Sequence, residues 1–160
     1  MYFPTWATDR LRRSDASLPD APLVLVGRDG NRRVVTAAND LALMLGLRVG
    51  MPLAKAQVLV RDLVVRDAEP ERDAEALEKL AVWALRHYAP IAAADPPDGL
   101  VIDVTGAAHL HGGESAMLEG MITACAGFGV TARVTIADTW GAAHAVARLS
   151  RTPVTVVPPW

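Results

Sequence analysis

The stretch from residue 95 to residue 114 constrains the fold more than any other part of this chain: it runs D-P-P-D-G-L-V-I-D-V-T-G-A-A-H-L-H-G-G-E. Residues 100–104 are an apolar, β-branched run between turns rich in proline and glycine, which predicts a buried strand. Asp103 interrupts that run. Because an unpaired buried carboxylate is costly, Asp103 must meet a partner, a metal ion or the open edge of a sheet. We expect an aspartate at the strand end, bonded to the turn at Thr105 and Gly106.

A metal site is the alternative interpretation of the same stretch. Carboxylates and imidazoles are ordinary ligands of divalent cations, and the candidates are Asp98, Asp103, His109, His111 and Glu114. A metal-binding hydrolase would use Asp98, Asp103, His109 and His111. However, H-x-H with nearby acids is a loose motif, which occurs more often in an ordinary turn than in a metal site.

Composition excludes several classes of protein. The 160 residues suit one compact core with a small appended lobe. Although 51% of the chain is apolar, no stretch approaches the length and apolarity of a membrane span. We see no signal-peptide pattern, and the single Cys125 cannot form an internal disulfide, so we expect a soluble protein of the reducing cytoplasm. A net charge of −2 gives no overall attraction to nucleic acid, which leaves Arg28, Arg32 and Arg33 as local candidates for DNA contact.

The order of elements predicts the fold class. Asp29-Gly30 between two β-rich runs predicts a hairpin of residues 23–26 and 33–36. A brief helix capped by Thr8 or Asp9 should precede it, and two short helices should follow it. The remaining predicted elements are a long helix at 69–88, strands at 91–94 and 100–104, a helix at 114–126, a strand at 131–137, a helix at 139–149 and a strand at 154–157. This order predicts an α+β fold with a small mixed sheet covered by helices on one face.

Three stretches in register carry a family resemblance: G-L-R-V-G-M-P-L-A-K-A at 46–56, L-V-I-D-V-T-G at 100–106 and G-V-T-A-R-V-T-I-A-D-T at 129–139. Together they resemble the Y-family, or UmuC-type, translesion DNA polymerases. The resemblance implies a ferredoxin-like palm with an antiparallel-dominated mixed sheet, plus a small fingers lobe. We expect residues 1–15 and 75–160 to form the palm and residues 16–74 to form the fingers. The thumb and little finger of the family have no counterpart in this sequence.

The same resemblance implies that the catalytic site is degenerate. Active relatives use palm carboxylates to hold two metal ions that activate the primer hydroxyl and bind the triphosphate. Carried over residue by residue, the resemblance implies several altered positions. In the palm, active relatives have an Asp-Glu pair where this chain has Asp98-Gly99, and they have an acid in the first strand where residues 1–4 have none. At the positions that bind the triphosphate, Asp40 and Leu43 replace a Tyr and an Arg, Thr139-Trp140 replaces Asn-Lys, and His144 replaces a later Lys. No metal cofactor is expected, and Mg²⁺ would be required only if the chain were an active polymerase fragment.

The sequence of residues 95–114 is most similar to the ImuB-like, non-catalytic branch of the family. That branch implies a scaffold or accessory role in error-prone translesion synthesis and SOS-type mutagenesis. The partners it implies are the sliding clamp, an error-prone C-family polymerase and a RecA-like accessory protein. The regions expected to contact those partners lie beyond residue 160. Recruitment would bring a cytoplasmic protein to DNA in the nucleoid, where only weak contact with DNA is expected.

Overall fold

The computed structural model describes residues 1–159. Its helices are α1 (Trp6–Ser14), α2 (Asp40–Met44), α3 (Leu53–Leu59), α4 (Pro70–His87), α5 (Glu114–Gly127) and α6 (Trp140–Leu149). Its strands are β1 (Leu23–Asp29), β2 (Arg32–Ala38), β3 (Val64–Asp67), β4 (Ile91–Asp95), β5 (Gly99–Asp103), β6 (Val134–Ile136) and β7 (Val154–Val156). The chain divides into a smaller unit, Thr5–Glu71, and a larger unit, which is Met1–Pro4 together with the chain from Arg72 onward.

The smaller unit is built on a three-stranded sheet in the order β2-β1-β3. The predicted hairpin is confirmed: β1 and β2 pair antiparallel, and Gly30 takes the left-handed conformation (φ 61°) that the turn requires. β1 is buried on both faces, since Val24 and Val26 join one apolar cluster while Leu23 and Leu25 join another. This explains why residues 23–26 form a continuous apolar run that does not alternate.

The larger unit contains two short ladders that meet at the first residues of the chain. β4 and β5 pair antiparallel, whereas β6 and β7 pair parallel. Tyr2 makes antiparallel bridges to both Gly99 of β5 and Arg133 before β6, and its backbone exchanges two 2.8 Å hydrogen bonds with Arg133. α5 packs its buried Met117, Leu118 and Met121 against Val134. The fold is therefore α+β, with a mixed sheet in which antiparallel pairing dominates, as predicted.

Two expectations about the start of the chain need correction. α1 begins at Trp6, so neither Thr8 nor Asp9 caps it; Thr8 is buried and its hydroxyl donates to the carbonyl of Thr5 at 3.1 Å. Residues 5–15, which we expected with the palm, fall in the smaller unit. The physical reason is that Leu11 of α1 packs against the cluster that includes Leu25 of β1.

The other differences are local. β3 was not predicted, and it pairs parallel with β1 over Leu23–Val26. α4 is one residue shorter at each end than predicted. No helix within residues 1–159 is long and apolar enough to cross a membrane.

Candidate functional site

Two aspartates flank the turn that joins β4 to β5. Asp95 ends β4, and Asp98 immediately precedes Gly99, the first residue of β5. Their side chains are 18% and 32% exposed, so both carboxylates are largely withdrawn from water. The backbone carbonyl of Asp98 accepts a 2.8 Å hydrogen bond from the amide of Phe3. The turn is therefore held against the first residues of the chain.

One face of α6 supplies the groups that meet these carboxylates. His144 and Arg148 are four residues apart on α6 and therefore lie on one face of the helix. Nδ1 of His144 lies 2.7 Å from Oδ2 of Asp95. Nη2 of Arg148 lies 3.0 Å from Oδ1 of Asp98 and 3.8 Å from Oδ2 of Asp95. A single guanidinium thus contacts both aspartates.

Arg148 is also held from two other directions. Its guanidinium carbon lies 4.9 Å from the centre of the Tyr2 ring, within the range of a cation–π contact. Its Nη1 donates to the carbonyl of His144 at 3.3 Å. Because the Arg148 side chain is only 25% exposed, its position is set by neighbouring protein groups more than by solvent.

Gly99 occupies the position at which active relatives are expected to carry a second acid. A β-carbon on Gly99 would lie 2.9 Å from the carbonyl oxygen of Met1 and 3.3 Å from Nη2 of Arg148. A side chain cannot be added here without moving the backbone or the guanidinium. Glycine at this position is therefore a packing requirement, and the site has no room for the missing carboxylate.

A pair of metal ions does not fit these residues. The two aspartates accept from an internal guanidinium and an imidazole, and residues 1–4 contribute no acid. Within residues 1–159 no group of three or more His, Cys, Asp or Glu side chains could hold a metal ion. A divalent cation would have to displace Arg148 and would gain only two carboxylates, which is too few charged ligands for a two-metal site.

The alternative metal candidates are not brought together. Asp103 is exposed and accepts from the amide and hydroxyl of Thr105 at 3.0 and 2.6 Å, which is the strand-end arrangement we expected. The Thr105 hydroxyl, and then its amide, lower the pKa of Asp103. His111 stacks near Tyr88, with ring centres 5.2 Å apart. His109 and Glu114 are exposed.

A cleft of about 730 Å³ in the larger unit is lined by some of these residues. Asp103, His109 and Glu114 share its lining with Asp95 and His144, whereas Asp98 and His111 are not part of it. The proposed hydrolase set of Asp98, Asp103, His109 and His111 is therefore dispersed.

The remaining degenerate positions have ordinary structural surroundings. Asp40 is the exposed first residue of α2, and Leu43 packs against the apolar cluster of the smaller unit. Trp140 is 56% exposed, and its ring centre lies 5.0 Å from that of His144. None of the three side chains offers a cation to a phosphate.

The arginines predicted to contact DNA lie at the β1–β2 hairpin. Arg28, Arg32 and Arg33 are exposed, and Arg28 pairs with Arg33 across the two strands. Nη2 of Arg33 lies 3.3 Å from Oδ1 of Asp67 on β3, so part of its charge is compensated within the protein.

Sequence reasoning missed Arg148 and undervalued Asp95. Both residues lie outside the three matched stretches, and they are more than fifty residues apart in the sequence. The available signal was the spacing of His144 and Arg148 on one helical face, together with the absence of any other basic residue in α6. The spacing alone could not show which side chains contact the face of α6 that carries His144 and Arg148.

Comparison with known proteins places this sequence in one family. A model of the impB/mucB/samB family matches residues 1–148. Protein ImuB of Caulobacter vibrioides (strain NA1000 / CB15N) is 49% identical over 104 residues, which is 65% of this chain and 22% of that protein. DNA polymerase IV of Caulobacter vibrioides (strain ATCC 19089 / CIP 103742 / CB 15) is 33% identical over 120 residues, or 71% of this chain and 27% of that one. The chain thus spans about a quarter of the length of these relatives.

Solved structures agree on the fold. The post-insertion binary complex of Dbh DNA polymerase superimposes with a TM-score of 0.79 at 20% identity, covering 98% of this chain and 47% of that one. The crystal structure of DinB from Sulfolobus solfataricus gives a TM-score of 0.74 at 20% identity over 98% of this chain and 46% of that one. The α+β fold predicted from sequence, a ferredoxin-like palm with a small fingers lobe, is therefore confirmed.

Proposed function

Because the chain belongs to the impB/mucB/samB family of UmuC-type, Y-family polymerase homologues, we propose that it is a non-catalytic member. It acts as a scaffold or accessory subunit in error-prone translesion DNA synthesis during the SOS-type response to DNA damage. The observation that carries this proposal is the position of Arg148, whose guanidinium lies 3.0 Å from Asp98 and 3.8 Å from Asp95. Asp98, which the family resemblance places at a metal-binding position, pairs with an internal cation.

The chemistry of phosphoryl transfer supports this proposal. Two metal ions must neutralise the attacking and leaving oxygens, and their position depends on open carboxylates. Arg148 compensates the negative charge that would attract those ions. Gly99 leaves no second acid beside Asp98, and a larger residue there meets the backbone of Met1. Each loss removes part of a cooperative site, so the combined effect on rate is severe.

The similarity to Protein ImuB supports an accessory role for the complete protein. The similarity to Protein ImuB extends over 65% of this chain. We propose that the complete protein works with the sliding clamp, an error-prone C-family polymerase and a RecA-like accessory protein. This chain covers only 22% of that relative, so those contacts belong to the proposal for the complete protein.

Weak contact with DNA accompanies this role. The exposed arginines of the β1–β2 hairpin, Arg28 and Arg32, can approach phosphates from the smaller unit. Contacts of this kind give binding that does not depend on sequence and that weakens as salt rises. They would position the subunit near DNA without reading bases.

A substitution at Asp98 in the complete protein tests the proposal. In the organism that carries the gene, deletion should reduce damage-induced mutagenesis, whereas Asp98→Asn should leave it near the unmodified level. If Asp98 held a catalytic metal ion, removing its charge would cost most of the activity. Immunoblotting must show equal amounts of both proteins. Mutagenesis that falls to the deletion level, with the Asp98→Asn protein present in full amount, would contradict a non-catalytic role.

A further inference from the structure

We infer that Arg148 serves as a built-in replacement for a divalent cation, tying the β4–β5 turn to α6 so that the larger unit folds without metal. This inference rests on the proposed function, since it explains how a fold that lost its metal ions keeps its carboxylates. It assigns to Arg148 a positioning role that the matched family motifs do not contain.

The electrostatic argument begins with the two aspartates. Asp95 and Asp98 lie at the two ends of one tight turn, with side chains only 18% and 32% exposed. Two carboxylates that share a poorly hydrated site repel each other, and a neighbouring cation removes that penalty. Nη2 of Arg148 is within 4 Å of an oxygen of each carboxylate. The single positive charge of the guanidinium therefore lies beside both carboxylates and reduces the repulsion between them.

The choice of arginine suits this role better than any other basic residue. A guanidinium stays charged at every physiological pH and presents several donors in a fixed plane. Arg148 uses Nη2 for the aspartates while Nη1 donates to the carbonyl of His144. A lysine ammonium would reach the carboxylates as a point charge but would lose this geometry.

The third contact extends the link to the middle of the sheet. The guanidinium of Arg148 lies over the ring of Tyr2, at 4.9 Å from its centre. Tyr2 bridges both Gly99 and Arg133 and thus connects the two ladders of the larger unit. Arg148 consequently joins a helix, a turn and the first residues of the chain.

A double-mutant cycle between positions 148 and 98 tests the link. Arg148→Gln should raise the unfolding equilibrium constant about tenfold, or about 1.4 kcal/mol, because it leaves two carboxylates without their cation. Asp98→Asn should destabilise the Arg148→Gln protein less than it destabilises the parent protein, because the cation that pairs with Asp98 is already absent. The exposed Arg151 provides the control, and Arg151→Gln should leave stability unchanged. If Arg148→Gln does not fold, the same cycle is measured with Arg148→Lys.

Divalent cations provide a second readout, because Arg148 already occupies the position beside the two aspartates. Mn²⁺ should neither raise the melting temperature of the parent protein nor bind at the aspartates in an electron paramagnetic resonance titration. Additive effects of the 148 and 98 substitutions would overturn the inference. So would Mn²⁺ stabilisation of the parent protein that disappears in Asp98→Asn.

Failure of this inference can be told apart from failure of the proposed function. Additivity in the cycle, or Mn²⁺ binding without primer extension, overturns the role of Arg148 and leaves the non-catalytic assignment standing. Primer extension overturns the proposed function, whatever the cycle gives.

Discussion

Gly99 and Met1 approach so closely that a β-carbon on Gly99 would lie 2.9 Å from the carbonyl oxygen of Met1. That carbonyl already accepts a 3.0 Å hydrogen bond from the amide of Leu100, the residue after Gly99. The backbone of the first residues is therefore fixed at this point and cannot easily retreat. The absence of a side chain at position 99 and the close packing of the first residues of the chain are two aspects of one arrangement.

Gly99→Ala should destabilise the protein by about 1–3 kcal/mol, because the new methyl group overpacks a fixed backbone. The matched control is Gly120→Ala in α5, where an added β-carbon meets nothing within 4 Å. There alanine should stabilise by roughly 0.5–1 kcal/mol through its helix propensity. Urea unfolding of both variants checks the pair, and equal effects would show that Gly99 is not packed as described.

Gly99→Glu should destabilise at least as much and should not create a metal site. The new carboxylate would meet the Met1 carbonyl and would place a third negative charge beside Asp95 and Asp98. Calorimetric titration with Mg²⁺ checks this, with the parent protein as the reference. Magnesium binding by the variant would mean that the backbone adapts to a restored acid.

The thiol of Cys125 should be inert in the folded protein. It is fully buried in α5, and burial raises its pKa to about 11. At pH 8 the thiolate fraction is then about a thousandth, so a disulfide reagent should react at least about 100-fold more slowly than with the unfolded chain. Absorbance of the released thiolate measures both rates, and denaturant supplies the internal control. Equal rates would show that α5 opens readily or packs differently.

Sequence patterns were sufficient for elements whose signals are local. The Asp29-Gly30 hairpin follows from turn chemistry, and the side chain of Asn39 caps α2 by accepting a 3.0 Å bond from the amide of Ala42. Asp103 also behaves as predicted, because its partners in Thr105 are only two residues away. Each of these features depends on neighbours along the chain.

Features that depend on distant residues were not predictable from one sequence. β3 carries only two apolar residues before Arg66 and Asp67, which is too short for a strand signal, and it forms because β1 offers an edge. The link from Arg148 to Asp98 spans fifty positions. The family resemblance predicted which catalytic residues are missing, but only the fold shows that Arg148 lies beside Asp95 and Asp98.

Binding to DNA should be weak and strongly dependent on salt. The double variant Arg28→Ala, Arg32→Ala should reduce the salt slope by about 0.7 for each arginine–phosphate pair that the substitutions remove on single-stranded DNA. Arg33 is left in place because Asp67 already pairs with it. Fluorescence anisotropy at several salt concentrations measures the slope, and Arg61→Ala, another exposed arginine of the smaller unit, is the control.

Two results would contradict this account of DNA binding. One is tight binding that persists at high salt, which would require interactions other than phosphate pairing. The other is an equally large decrease in the slope on Arg61→Ala, which would show that the hairpin is not where DNA binds.

Primer extension shows whether this chain can catalyse nucleotide transfer. The chain should be joined to the thumb and little-finger domains of an active relative such as DNA polymerase IV. Without those domains, extension could fail simply because the primer–template DNA is not bound. The same domains on their own palm and fingers serve as the positive control. With either Mg²⁺ or Mn²⁺ the chimera should show no extension. The guanidinium of Arg148 pairs with Asp98, and the packing around Gly99 leaves no space for a second acidic side chain. Extension by the unrepaired chimera that is abolished by Asp98→Asn would contradict the non-catalytic assignment.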